Sequence, residues 1–148
     1  MAVTAALYAP MFDKALNKEI DILSDTIKCS LHTSTYTPNL DTHDYFDDAT
    51  NEVTGTGYTA GGATLGSMTF TYTAASNLWT FDAADTSWTT STITARYAVI
   101  YDSTPATNAT RPLICYQNFG ADQSSSGGTF LLQWNASGIW TLTVGAEA

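Results

Sequence analysis

Positive charge is scarce in this sequence. Its 148 residues carry 5 Lys plus Arg against 14 Asp plus Glu, a formal net charge of -9. The five cations, Lys14, Lys18, Lys28, Arg96 and Arg111, are scattered, so no basic stripe is available to neutralise phosphates. That argues against a nucleic-acid partner and against docking on an anionic membrane. Long apolar runs are missing too: none approaches the roughly 20 residues a membrane helix needs. The first residues lack the positive n-region and continuous apolar stretch of a signal peptide, so synthesis in the cytoplasm is expected. Cysteine and histidine are limited to two each, Cys29 with Cys115 and His32 with His43. Two cysteines outside a CxxC pair make no disulfide framework, and two histidines cannot build a three-His zinc site.

Strand-forming residues take the place of charge. There are 26 Thr, 20 Ala and 12 Ser, and aromatics reach 12%. Branched and aromatic side chains fit a pleated, half-buried surface, and that many aromatics exclude a disordered acidic tail. The length suits one domain. The expected organisation is an N-terminal arm over residues 1–9 and a single β-sandwich domain over residues 10–148.

Helical spacing is confined to the first 22 residues. Pro10 fits a first-turn position, and Met11, Phe12, Ala15, Leu16 and Ile20 recur at helix-like intervals. This predicts a short amphipathic helix packed on a sheet. The period then changes: Ile27, Cys29 and Leu31 alternate with Lys28, Ser30 and His32, as in a half-exposed strand. Pro38 and Asn39 break that strand, and Asp41 is placed to cap a short helix carrying Tyr45 and Phe46. Residues 51–62, with Gly55, Gly57, Gly61 and Gly62, read as a long loop. Strands are expected over 64–73, 78–82, 89–102, 112–119, 129–134 and 139–144. In the longest, Ile93, Ala95, Tyr97, Val99 and Tyr101 should share one face. Asn135-Ala136-Ser137-Gly138 is the strongest hairpin signal, and residues 120–128 read as a flexible loop. Seven or so strands with regular turns indicate a mainly β, antiparallel sandwich of jelly-roll-like type.

Candidate chemistry is sparse. Asp41, His43, Asp44, Asp47 and Asp48 could hold a cation, but their spacing is not that of an EF-hand, and a solvated acidic segment accounts for them without one. His32, on the polar side of its strand, is expected at the surface. The 120–128 stretch lacks the Lys and the strand–helix context of a phosphate loop. Trp79, Trp88, Trp134 and Trp140 either fill the core or line a sugar-binding groove. Cys29 and Cys115 sit in apolar alternating runs and read as small buried hydrophobes; a bridge would need their strands to approach. No catalytic constellation, cofactor or metal site is assigned.

Several phrases occur together: Ile27 to Leu31 followed by Tyr36-Thr37-Pro38, then Asp41-Thr42-His43-Asp44-Tyr45, Asn51-Glu52-Val53, Gly55-Thr56-Gly57-Tyr58-Thr59-Ala60-Gly61-Gly62, Thr94-Ala95-Arg96-Tyr97-Ala98-Val99, Phe119-Gly120-Ala121-Asp122-Gln123 and Gln133-Trp134-Asn135-Ala136-Ser137-Gly138-Ile139. As a set, across residues 10–145, they resemble a family of small structural proteins of tailed bacteriophages and prophages. The resemblance implies a non-enzymatic virion component. Within that class the expectation is a capsid decoration (cement) protein on the capsid exterior, a trimer whose partner is the major capsid protein. A minor tail or fibre-base component is the alternative, and a carbohydrate-binding module stacking sugars on Trp79, Trp88 or Tyr101 is a more distant one. The apolar arm and the long Gly-rich loop nominate Tyr8, Pro10, Tyr58, Gly61 and Gly62 as the partner interface, with the arm expendable for folding.

Overall fold

The structure is a computed structural model and describes residues 4–145. Among these, eight strands form two antiparallel sheets, as a mainly β single-domain sandwich requires. The spine is a hairpin of two long strands, β6 (Thr86–Asp102) and β7 (Leu113–Leu132), numbered in chain order. β1 (Thr4–Leu7) adds to the outer edge of β7; β2 (Ile27–His32) and then β3 (Ala63–Thr64) add beyond β6. The second sheet has the order β4 (Thr69–Thr73), β5 (Leu78–Asp82), β8 (Trp140–Thr143). One helix, α1 (Pro10–Leu16), follows β1.

Two apolar cores result. The larger joins Ile27, Leu31, Ile93, Ala98, Ile100, Phe119 and Phe130 of the big sheet to Phe81 and Trp140 of the small one. The smaller gathers Tyr8, Tyr36, Phe46, Val99, Tyr101 and Leu113. Residues 33–50, mostly irregular, supply its Tyr36 and Phe46, and the Phe46 ring stacks on Tyr101 at 3.9 Å between centroids. The big sheet is therefore covered on both faces, which is why β6 is apolar at successive positions from Ala98 to Tyr101.

The simple alternation expected along β6 fails at Arg96. Ala95 pairs with Gln123 but Tyr97 with Asn118, so the ladder changes register while β7 uses residues 119–122. Beyond the irregularity the parity flips: Ala98 and Ile100 join Ile93 and Ala95 in the larger core, whereas Val99 and Tyr101 enter the smaller one. Such irregularities re-aim side chains across a sheet. Arg96 Nε donates to Asp122 Oδ1 at 2.9 Å across the step.

Other expectations are corrected by long-range pairing. Residues 120–128 are not a flexible loop but the middle of β7. Their small side chains pair with β6 through hydroxyl contacts of 2.7 Å, Ser91 with Ser125 and Thr94 with Ser124. The turn at Asn135 forms, with the Gly138 N–H donating to the Asn135 carbonyl at 2.8 Å. It joins strands of different sheets, however, so it is a crossover and not a hairpin. The 64–73 run divides into β3 and β4, one in each sheet. The helix proposed after Asp41 is a 3-10 turn over Phe46–Asp48. Helix α1 is shorter than its spacing suggested: Met11 is buried, but Phe12 is 40% and Leu16 84% exposed. Cys29 and Cys115 are free and buried. Ile100 pairs with both, so two strand spacings, about 10 Å, separate them, beyond the roughly 7 Å limit for a bridge.

The N-terminal arm is part of the fold. β1 pairs with residues 115–118 of β7, and Tyr8 is 0% exposed with its hydroxyl 2.7 Å from that of Tyr36. Truncating a buried aromatic ring typically costs about 3–5 kcal/mol. Deleting residues 1–8 should therefore lower the melting temperature by roughly 10 °C or more. A truncated chain that melts with the wild type would overturn this placement.

Candidate functional site

The glycine-rich loop lies on its own sheet. The Val53 N–H donates to the Leu31 carbonyl at 2.8 Å and the Thr33 N–H to the Asn51 carbonyl at 3.0 Å, continuing the β2 edge. Glu52 Oε1 then accepts from the Tyr58 hydroxyl and from the Gly61 N–H, each at 2.6 Å. Tyr58 also accepts from the Leu31 N–H at 2.9 Å, and the buried Tyr101 hydroxyl donates to the Gly61 carbonyl at 2.8 Å. Gly62 has φ +73°, and a β-carbon there would overlap the Cys29 carbonyl oxygen. These glycines let the loop approach β2. Of the five nominated interface residues, Tyr8 is buried, Tyr58, Gly61 and Gly62 are half-buried and engaged internally, and Pro10 begins α1 half-buried. The structure does not bring them together as a free surface.

His32 is likewise not at the surface. It is 0% exposed, with Nδ1 2.8 Å from the Thr50 carbonyl and Nε2 2.9 Å from the Ser30 hydroxyl. A carbonyl only accepts, so Nδ1 carries the proton and Nε2 accepts from Ser30. Burial pushes its pKa down to about 4, against the Thr50 hydrogen bond. Nothing in the local pattern marked this, because the residues covering His32 come from the 33–50 segment.

A second buried polar site went unnoticed in the sequence. Asp102, 1% exposed, accepts from the Thr104 N–H at 2.8 Å through Oδ1, while Oδ2 has no hydrogen-bond partner among the described residues. Burial pushes its carboxyl above the usual carboxylate range; Thr104 draws it back and the neighbouring Asp25 carboxylate pushes it further up.

The acidic segment builds the most distinctive surface. Lys14 of α1 lies 4.1 Å above the Tyr45 ring centroid, donates to the Tyr45 hydroxyl, and sits 3.5 Å from Asp44 and 3.9 Å from Glu19. The Tyr45 hydroxyl donates to Glu19 at 3.0 Å. This fastens residues 44–45 beside the helix and raises the Lys14 pKa, chiefly through the Tyr45 bond. Asp48 Oδ2 accepts from the Asp44 N–H at 3.0 Å, and the Tyr36 hydroxyl contacts His43 Nδ1 at 3.2 Å. Among the described residues no group of three or more His, Cys, Asp or Glu is placed to hold a metal ion. Asp13, Glu19, Asp21, Asp41 and Asp47 stay exposed.

The aromatics are largely internal. Trp88 and Trp140 are buried in the larger core and Tyr101 in the smaller, so Trp88 and Tyr101 cannot form a sugar platform. Trp79 is half-buried, stacked against Phe70 at 4.6 Å and tilted to Tyr72 at 5.2 Å. A cleft of about 690 Å³ runs between β1 and the 133–141 segment, past Leu7, Gln117, Trp134 and Trp140. Among the described residues its lining includes no titratable side chain. No helix is long and apolar enough to cross a membrane among the described residues. Comparisons with protein-family models, with curated proteins and with solved structures found no match.

The two buried titrating groups predict opposite pH effects. The folded pKa of His32 lies below its unfolded value, so its contribution is full above about pH 6.5 and is lost as pH falls toward 4, about 3 kcal/mol in all. His32→Gln should lower stability at pH 7 yet lose less between pH 6.5 and 4 than the wild type, measured by urea unfolding. An unchanged acid slope would contradict the buried neutral imidazole. Asp102 has the reverse sign: its folded pKa is raised, so its stabilising contribution is full at acid pH and is lost as pH climbs through that raised value. Asp102→Asn removes a carboxyl that burial makes costly to ionise, so it should melt no lower than wild type at pH 7, its relative advantage fading toward pH 4. A lower melting temperature at pH 7 would count against the raised carboxyl.

Proposed function

We propose that this chain is a non-enzymatic virion structural protein of a tailed bacteriophage or prophage, and within that class a capsid decoration protein. The observation that carries the reading is how its polar groups are used. His32, Glu52, Tyr58 and Gln117 hold segments to the sandwich, as when Gln117 Nε2 donates to the Ile139 carbonyl at 3.0 Å. The product is a body with its long loop fastened and an acidic face on one region, which suits a subunit that grips a surface. The family resemblance of the sequence points the same way.

The mechanism is mass action. A protein that binds the assembled shell better than its free subunits stabilises the shell at each site by RT ln(1 + c/Kd), where c is its free concentration. Bound on the capsid exterior, trimers would bridge neighbouring major capsid subunits without any chemical step. The alternative within the class is a minor tail or fibre-base component.

Copy number separates the two. Quantitative mass spectrometry of particles should give a ratio to the major capsid protein near one to one. A ratio of a few per cent would overturn decoration in favour of the tail.

A further inference from the structure

The one helix of the described chain turns apolar side chains outward. Phe12 and Leu16, four residues apart and so neighbours on one helical face, are 40% and 84% exposed; Leu23, in the turn that follows, is 54% exposed. The helix is anchored from other positions. Met11 is buried, Lys14 is tied to Tyr45 and Asp44, and Ile20 and Ile22 pack against the larger core. Phe12, Leu16 and Leu23 are thus not needed to hold the helix in place. They form three of the five large hydrophobic side chains most exposed in the described chain. Grouped exposed apolar residues inside a polar rim mark interaction sites.

The rim identifies the partner's chemistry. Segments 13–25 and 41–48, stitched together through Lys14, hold eight of the chain's fourteen carboxylates, against Lys14 and Lys18 alone. Lys14 is already engaged, which leaves Lys18 as the one exposed cation here. A second copy of this chain docking through the same face would set acid against acid, and an anionic lipid or nucleic-acid surface would be repelled likewise. A basic protein surface with an apolar socket is the complement.

We infer that the Phe12–Leu16 face of α1 docks on a basic, apolar-centred patch of the major capsid protein's outer surface, the acidic residues of segments 13–25 and 41–48 steering and orienting it. This rests on the decoration reading and moves the contact from the arm and glycine loop to the helix.

The test is binding to shells assembled from the major capsid protein without this chain, comparing wild type, Leu16→Ser, and the double variant Asp13→Lys/Asp21→Lys. Leu16 is exposed, so its variant should melt with the wild type. The expected result is at least tenfold weaker shell binding by Leu16→Ser, wild-type affinity that falls with added salt, and a weaker, less salt-sensitive double variant. Wild-type binding with Leu16→Ser undiminished would overturn this face while leaving decoration intact. Failure of the wild type itself to bind would overturn both. Light scattering of the free protein closes the remaining route: an oligomer dissolved by Leu16→Ser, with shell binding unchanged, would assign the face to a second copy and overturn the capsid contact.

Discussion

The structure depends on burying one long hairpin on both sides. β6 and β7 are apolar toward both faces over the stretch where Ala98 to Tyr101 meet Leu113 to Gln117. A sheet with both faces apolar needs two cover layers. The three-stranded sheet supplies one, through Phe81, Ile139 and Trp140; the 33–50 segment supplies the other, through Tyr36 and Phe46. The register step beside Arg96 lets one strand serve both layers, because it exchanges which parity faces which core. Without it, Ile93 and Ala95 would lie on the opposite face from Ala98 and Ile100.

That arrangement explains why so many polar groups are internal. Irregular backbone laid over an apolar sheet must still satisfy its hydrogen-bonding groups. His32 bonds Thr50, Glu52 bonds Gly61, and Tyr101 reaches past Phe46 to the Gly61 carbonyl. The His32 and Tyr101 bonds join irregular segments to the sheet, and the Glu52 bond closes the 51–62 loop on itself. The cost of burying such groups is offset only when each finds a partner; Asp102 Oδ2, unpartnered among the described residues, marks a place where that cost is not met. The loop and the arm, which look like free appendages in one dimension, are consumed by this packing. What remains free lies where the covering layer ends: the outer face of α1 and the acidic residues around it.

Charge is accordingly uneven. Lys14 sits within a ring of Tyr45, Asp44 and Glu19, so one of the few cations is spent locally. Arg96 is likewise paired with Asp122. The acidic excess is left facing solvent beside Phe12 and Leu16. The proposed role at a virion surface would use this face through complementarity of charge.

The amino-acid sequence by itself determined the β class, the positions of most strands, the turn at Asn135 and the burial of Cys29 and Cys115. These follow from local properties: the two-residue alternation of Ile27, Cys29 and Leu31, and the backbone demands of Asn and Gly at a turn. It also determined the acidic bias. Tertiary structure alone decided the rest. β1 is a strand because β7 offers it an edge, and residues 120–128 are extended because β6 pairs with them. His32 is buried because a segment distant in sequence lies over it. The reason is common to all three: the free energy of a strand or a buried polar group comes from partners tens of residues away, and no local pattern of residues carries that information.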